Sequence, residues 1–316
     1  MTISQIFDSY DIKRNIAESR AEENHNRIRK NSPEYARLED RRRELYADLL
    51  GATLTNSKEK ETIKKEIAEI SEDLKEILVR SNLDINPSYE CKLCNDTGYV
   101  EKNGEKSFCV CILEKIYSEV FGAKVIGELK GSFGTFDDKM FSEERILFAG
   151  KETSPREQIR LIRDYAERYV KAFPALVKQN MLLIGGAGLG KTFLMECIAR
   201  RLYIKTRKIF FIDSFELFSV FHKHRLGELS DSLDLIYDAD IVFIDDLGTE
   251  PMTQNVTKEY FLRLLEIRGG AGKPIIAATN MSESQLTARY GEMICSRLLS
   301  DKNCKKLYFA GEDLRF

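Results

Sequence analysis

The chain has 316 residues, enough for two domains at about 150 residues each. Hydrophobic residues make up 43% and charged residues 32%, which suits a globular core under a heavily charged surface. Lys and Arg number 49 against 51 Asp and Glu, a net charge of −2, so bulk charge excludes itself as a route to nucleic acid and only a local basic surface could serve. No stretch reaches the roughly 18 uninterrupted apolar residues of a membrane span. The opening MTISQIFDSYDIKRN lacks the charged-then-apolar plan of a signal peptide, so a cytoplasmic protein with no membrane partner is expected.

From Asn15 to Val79 the chain is polar and charged, with Pro33 its one proline. Ile63, Ile67, Ile70, Leu74 and Ile77 alternate at spacings of four and three, a heptad seam. Leu38, Leu45 and Leu49 repeat at matching helical spacing, and the turn-like stretch Gly51 to Ser57 separates the two runs. Two helices folded back as a hairpin are expected, with the seam serving either that hairpin or an outside partner. Four of the seven cysteines follow within 21 residues, at Cys91, Cys94, Cys109 and Cys111. Without an export signal, such a cluster reads as metal before disulfide. Four thiolates are a complete tetrahedral set for Zn²⁺, and with no histidine nearby a closed structural site is favoured over a catalytic one. Asn103-Gly104 is a hairpin signal between Gly98–Lys102 and Glu105–Cys109 that would bring the cysteine pairs together. An iron–sulfur cluster and four reduced cysteines in a small core are the alternatives.

Gly131 to Glu143 looks like a connector, and a helix is predicted near Ser154 to Phe173. Nearly continuous apolar runs then mark strands at Met181–Ile184, Ile209–Asp213, Ile241–Asp245, Ile275–Thr279 and Lys306–Phe309, as expected where a parallel sheet is covered on both faces. Helices fit between them at about Thr192–Thr206, Phe215–His224, Thr257–Ile267 and Glu283–Leu299. The pattern is α/β in three layers.

Gly185-Gly186-Ala187-Gly188-Leu189-Gly190-Lys191-Thr192 satisfies G-x-x-x-x-G-K-[ST] between a predicted strand and a predicted helix, the setting that a phosphate loop requires. Its glycines let backbone N–H groups curl around phosphates at the positive end of the following helix. Lys191 would reach the β- and γ-phosphates of ATP, and Thr192 would offer its hydroxyl to Mg²⁺. Ile241–Ile244 runs into Asp245 and Asp246 at the carboxyl edge of the sheet, where open α/β sheets bind ligands. Asp245 would hold Mg²⁺ through water, and Asp246 would polarise the attacking water. Asn280 ends the next apolar strand and could bond the γ-phosphate or that water. Arg297, on a late predicted helix, either completes a neighbouring subunit's site or is a surface arginine. His222, Lys223, His224 and Arg225, with Phe221 beside them, would suit single-stranded DNA, or else form the cationic last turn of a solvated helix.

These four elements in this order resemble an AAA+ ATPase. Phe133-Gly134-Thr135-Phe136-Asp137, GGAGLGKTFL at 185–194, IDDLGTE at 244–250, AATN at 277–280 and YGEMICSRL at 290–298 make the chain similar to the DnaC/DnaI-type bacterial helicase loaders and their relatives, the IstB-type transposition helpers. On that resemblance Lys191 and Thr192 are the Walker A residues and Asp245 and Asp246 the Walker B pair. Asn280 is then sensor 1, Arg297 the arginine finger, and the Phe133 segment lies near the nucleotide base. Two departures stand out: Asp246 replaces the Glu of many AAA+ proteins, and the 19 residues after Arg297 leave no room for a helical lid with its sensor 2 arginine. The resemblance implies an AAA+ core with a five-stranded parallel sheet and no lid at 131–316. Ahead of it, at 1–130, it implies a helical, Cys₄ zinc-binding partner domain, nearest the DnaI-like arrangement. It further implies ATP hydrolysis, nucleotide-dependent self-assembly, single-stranded DNA binding, and a grip on the replicative hexameric helicase within a primosome. An IstB-like transposition helper ATPase and a nucleotide-gated scaffold with little hydrolysis are the competing functions.

Overall fold

A computed structural model describes residues 1–54, 59–102, 104–148, 150–175, 180–229 and 233–315. It divides into two units, Thr2–Cys111 and Ile112–Phe316.

In the first unit Thr2 caps helix α1 (Ile3–Asn31), and Gln5 closes the capping box. Pro33 ends that helix, because it has no N–H to continue the ladder, and opens α2 (Pro33–Leu54), where the first N–H is not needed. Helix α3 spans Lys60–Ser81 and stops on Asn82 in the left-handed conformation, φ 52°. Ile67, Ile70 and Leu74 of the heptad seam are buried with Ile28, Tyr35 and Leu45, so the seam is internal to the unit. There are thus three helices where two were expected. The buried positions of α1, Ile6, Tyr10, Ala21 and Ile28, are too widely spaced to draw an apolar stripe in the sequence. Gly51 belongs to α2, and residues 55–57 of the expected turn lie outside the described residues. Strands β1 (Tyr99–Lys102) and β2 (Glu105–Phe108) pair antiparallel with Tyr99 opposite Phe108, as the hairpin signal predicts; Asn103 at its corner lies outside the described residues. Phe7 of α1 stacks on Tyr99 at a centroid distance of 5.0 Å.

The second unit begins earlier than the expected boundary at residue 131. Helix α4 (Val110–Glu119) buries Ile112, Leu113, Ile116 and Tyr117. Tyr117 and Phe121 set their rings edge-on to Phe210 at 5.0 and 5.9 Å, which draws residues 112–130 into this unit. After a short hairpin of β3 (Ile146–Phe148) and β4 (Lys151–Thr153), Ser154 and Glu157 form a capping box for α5 (Pro155–Ala172).

Five parallel strands follow: β5 (Asn180–Ile184), β6 (Ile209–Asp213), β7 (Ile241–Asp245), β8 (Ile275–Thr279) and β9 (Cys304–Tyr308). Their order across the sheet is β6-β7-β8-β5-β9. Met181, Leu183, Phe211, Phe243, Ile276 and Ala278 share one buried cluster with residues of α5 and of α6 (Lys191–Leu202). Alternate strand residues point to the other face, where Phe210 meets Tyr117. Helices α7 (Ser214–Arg225), α8 (Leu233–Asp238) and α9 (Thr257–Gly270) complete the crossovers. Arg268 of α9 is wholly buried and donates to the carbonyls of Ile236, Tyr237, Ala239 and Pro274 at 2.8–3.2 Å. One side chain so ties the end of α8 to the entries of two strands. The predicted helix Glu283–Leu299 is instead a pair, α10 (Glu283–Tyr290) and α11 (Glu292–Leu298), broken at Gly291 with φ 90°.

Candidate nucleotide site and metal centre

The sheet order places β5 between β8 and β9, with β7 on the far side of β8. The carboxyl ends of β5, β7 and β8 therefore converge, and each carries one predicted element. Gly188 and Gly190 adopt φ of 71° and 79°, a region that a β-carbon disfavours, and so turn the chain from β5 into α6. Gly185 lies so close to Phe309 that a β-carbon there would stand 2.8 Å from its backbone oxygen.

Lys191 is the first residue of α6 and only 6% exposed. Its Nζ donates to Gly185 O at 2.9 Å, Gly186 O at 2.5 Å and Asn280 Oδ1 at 2.7 Å. All three ammonium donors are thereby committed, and one of them joins the phosphate loop to the end of β8. Burial pushes the Lys191 pKa down, against the pull of Asp246 and Asp245. Thr192 Oγ1 donates to Asp245 Oδ1 at 3.0 Å, so the two residues predicted to hold Mg²⁺ share one edge. Asp245 is 4% exposed, and burial, then the neighbouring Asp246, raises its pKa. Lys124 Nζ stands 3.9 Å from Asp245 Oδ2.

Asp246 sits in the left-handed region at φ 49° and lines the phosphate cavity with Asn280. That backbone is held from outside: Ser214 and Thr249 hydroxyls both donate to Asp246 O at 2.9 Å. Leu247 N–H donates to Ala278 O at 2.8 Å, while Thr279 Oγ1 donates back to Leu247 O at 2.6 Å. These bonds lace the loop after β7 to β8, and Asp246 and Asn280 line one cavity. Glu250 of the same motif plays another part. It is 1% exposed; Oε1 accepts from the Tyr290 hydroxyl at 2.5 Å and from Arg289, and Oε2 from Gly248 N–H at 2.9 Å. It pins the loop to α10.

The cavity bounded by 187–193, Asp246, Asn280 and Arg315 measures about 390 Å³. A second pocket of about 270 Å³ shares Gly188, Gly190 and Phe193 with it. Thr135, Phe136 and Asp137 of the Phe133 segment line this second pocket, with Phe141 and Ile159 beneath. The cavity on the phosphate loop, into which Lys191, Thr192, Asp246, Asn280 and Arg315 face, thus adjoins an apolar slot with aromatic walls. Arg297 is not brought to this site: it pairs with Glu266 at 2.7 Å and donates to Met293 O on the surface of α11. Of the basic run, His222, Lys223 and Arg225 are exposed and His224 bonds Tyr260 at 2.9 Å. Phe221 is wholly buried against Phe218 and Tyr260, which corrects the expectation that it could stack on a base. Lys124, Ser214, Asp313 and Arg315 were not signalled by any motif, because each reaches the site through tertiary contact alone.

In the first unit the four predicted cysteine sulfurs lie within 4.8 Å of one another. Cys91 and Cys109 sulfurs are 3.8 Å apart and Cys94 and Cys111 sulfurs 3.6 Å. A tetrahedral ion with Zn–S bonds of about 2.3 Å requires sulfur separations of about 3.8 Å, so the set fits. Asp96, 2% exposed, accepts from the N–H groups of Glu90 and Cys91 at 2.8 Å and fixes the knuckle that presents Cys91. Burial raises the Cys111 thiol pKa; at Cys91 burial is outweighed by the N–H donors of Cys94 and Leu93, and the pKa falls.

Residues 161–315 match the family described as IstB-like ATP binding protein. No curated protein matches the chain. Among solved structures it is similar to the DnaC helicase loader, at 21% identity over 49% of this chain and 90% of that one, with a TM-score of 0.42. DnaI gives 21% over 61% and 94% with a TM-score of 0.44, and AMPPCP-bound DnaA from Aquifex aeolicus gives 15% over 48% and 46% with 0.42. No helix is long and apolar enough to cross a membrane among the described residues. The family match falls within the unit that carries the phosphate loop and the five-stranded parallel sheet.

Proposed function

We propose that the chain is an ATP-dependent loader of the replicative DNA helicase. The observation that supports this most is the pairing, in one chain, of an IstB-like ATP-binding core with a separate unit whose four cysteines are set for one ion. That arrangement resembles the DnaI-like loaders. The cysteines would hold Zn²⁺ as a closed structural site, with no open position for chemistry. Their unit would grip the hexameric helicase.

At the nucleotide site Lys191 exchanges the carbonyls of Gly185 and Gly186 for the β- and γ-phosphates of ATP, and the loop N–H groups bind the remaining oxygens. Thr192 and Asp245 would hold Mg²⁺, which when bound neutralises charge on the β- and γ-oxygens. Asp246 orients the attacking water, and Asn280, released by Lys191, bonds the γ-phosphate or that water. Water adds to the γ-phosphorus as the bond to ADP breaks, giving ADP and phosphate. Arg297 lies outside its own chain's cavity and would complete the site of a neighbouring copy, so self-assembly and turnover are linked. Exposed His222, Lys223 and Arg225 would meet single-stranded DNA phosphates.

The test is transfer of the helicase from the same organism onto a closed single-stranded DNA circle. Loading that needs this chain, ATP and Lys191 is the expected result; loading indifferent to the chain overturns the proposal. The second reading, carried by the resemblance to IstB-type proteins, is a transposition helper on duplex DNA. Tight ATP-dependent binding to duplex DNA with no helicase contact would select it. Negligible phosphate release with and without single-stranded DNA would select a nucleotide-gated scaffold.

A further inference from the structure

The segment after β9 turns back onto the phosphate loop. Leu314 N–H donates to Gly188 O at 3.2 Å, and the Leu314 side chain packs on the core cluster that contains Leu189. The Asp313 carboxylate occupies the space that a side chain on Gly188 would need, so glycine is required there for contact as well as for φ. Arg315 is held by that carboxylate: its N–H and Nε reach Oδ1 at 3.0 and 2.9 Å, and Nη2 reaches Oδ2 at 2.6 Å.

Arg315 lines the polar cavity with Gly188, Lys191, Thr192, Asp246 and Asn280, and it also lines the apolar pocket beside it. Its side chain is 64% exposed, and an exposed pair with a carboxylate two residues away does little for the fold. The docking of the segment is accounted for by Leu314. Arg315 and Asp313 both act electrostatically on the Lys191 ammonium, which places them in the field of the phosphate site. A guanidinium at the mouth of a phosphate cavity presents a planar fork matched to phosphate oxygens, and a triphosphate offers more negative charge than one aspartate.

We propose that Arg315 is a phosphate-binding residue supplied by the same chain as the loop: Asp313 parks its guanidinium at the cavity mouth, and it transfers to the γ-phosphate when ATP enters. This gives the core a second cation on the nucleotide, in addition to Lys191, from the segment that follows β9. The proposal rests on the ATP site described above, and its test separates the two.

The full-length chain is titrated with fluorescent ATP and ADP analogues in the presence of Mg²⁺, and steady-state kcat and KM are measured alongside. Arg315→Ala weakens ATP about tenfold and ADP less than about twofold, with an unchanged melting temperature. Arg315→Lys recovers part of the loss. The double variant Asp313→Asn/Arg315→Ala remains weak, since the lost contact is to the nucleotide. Unchanged ATP affinity in Arg315→Ala overturns the proposal, as does equal weakening of ATP and ADP. Recovery of wild-type affinity in the double variant also overturns it, because Arg315 would then only screen Asp313. Lys191→Ala, made in parallel, reports on the ATP site itself whatever Arg315 does.

Discussion

The cysteine cluster draws its four ligands from a stretch of 21 residues, whereas the phosphate site joins Lys191 to Asn280, 89 residues away, and Thr192 to Asp245, 53 residues away. The supports differ as much as the distances. Around the cysteines, Phe7, Tyr99 and Phe108 make a small aromatic patch. Beneath the phosphate site, residues such as Leu182, Phe210, Val242 and Ala278 are wholly buried on the two faces of a parallel sheet. Where ligands are close in sequence but apolar support is thin, the ion proposed there would have to supply the stability. Where ligands are distant, the sheet holds them in place before any ligand arrives, at the cost that each depends on several elements being formed.

Removing the metal should break that comparison most sharply. With zinc at the cysteines as proposed, metal analysis should find one per chain, and chelation or Cys109→Ser should remove it and expose the segment around 91–111 to protease, since structural zinc is worth about 10–16 kcal/mol to a small site. ATP affinity changes less than about twofold in the same samples. At the other site, Lys191→Ala abolishes ATP binding, while Asp246→Asn binds ATP and loses about 10²-fold in kcat; phosphate release and nucleotide titration read the two apart. Arg268→Leu tests whether the sheet is the support claimed for it. Four carbonyls lose their donor, and thermal melting should show a loss of about 3 kcal/mol or more with zinc content intact. The smallest effect is expected from Gly188→Ala, about 1–2 kcal/mol for a β-carbon at positive φ, together with displacement of Asp313.

The same contrast decides what the sequence makes legible. The five strands are readable because burial on both faces leaves unbroken apolar runs, and three of them, β6, β7 and β8, fall on the predicted residues. Lys191, Asp245 and Asn280 stand at the ends of such runs, so their convergence follows once the sheet is parallel. The cysteines are legible from spacing alone. Helix α1 is not, because four buried positions spread over 29 residues form no stripe. The break at Gly291 is hidden because the apolar pattern continues across it: Leu286 and Tyr290 before, Ile294 and Leu298 after, all buried. Glu250 reads as part of an acidic motif, and only its bonds to Tyr290, Arg289 and Gly248 show that it is a clamp. Arg315 carries no local signal, since its place depends on the docking of Leu314 onto Gly188 and the core and on its pairing with Asp313.

The most direct test of the loader account is the mass of the complex between the full-length chain and the replicative hexameric helicase of the same organism, measured with zinc bound and again after chelation. The account predicts co-migration with the helicase that is lost with zinc and persists in Lys191→Ala. A zinc-loaded, folded chain that stays separate from the helicase would contradict it.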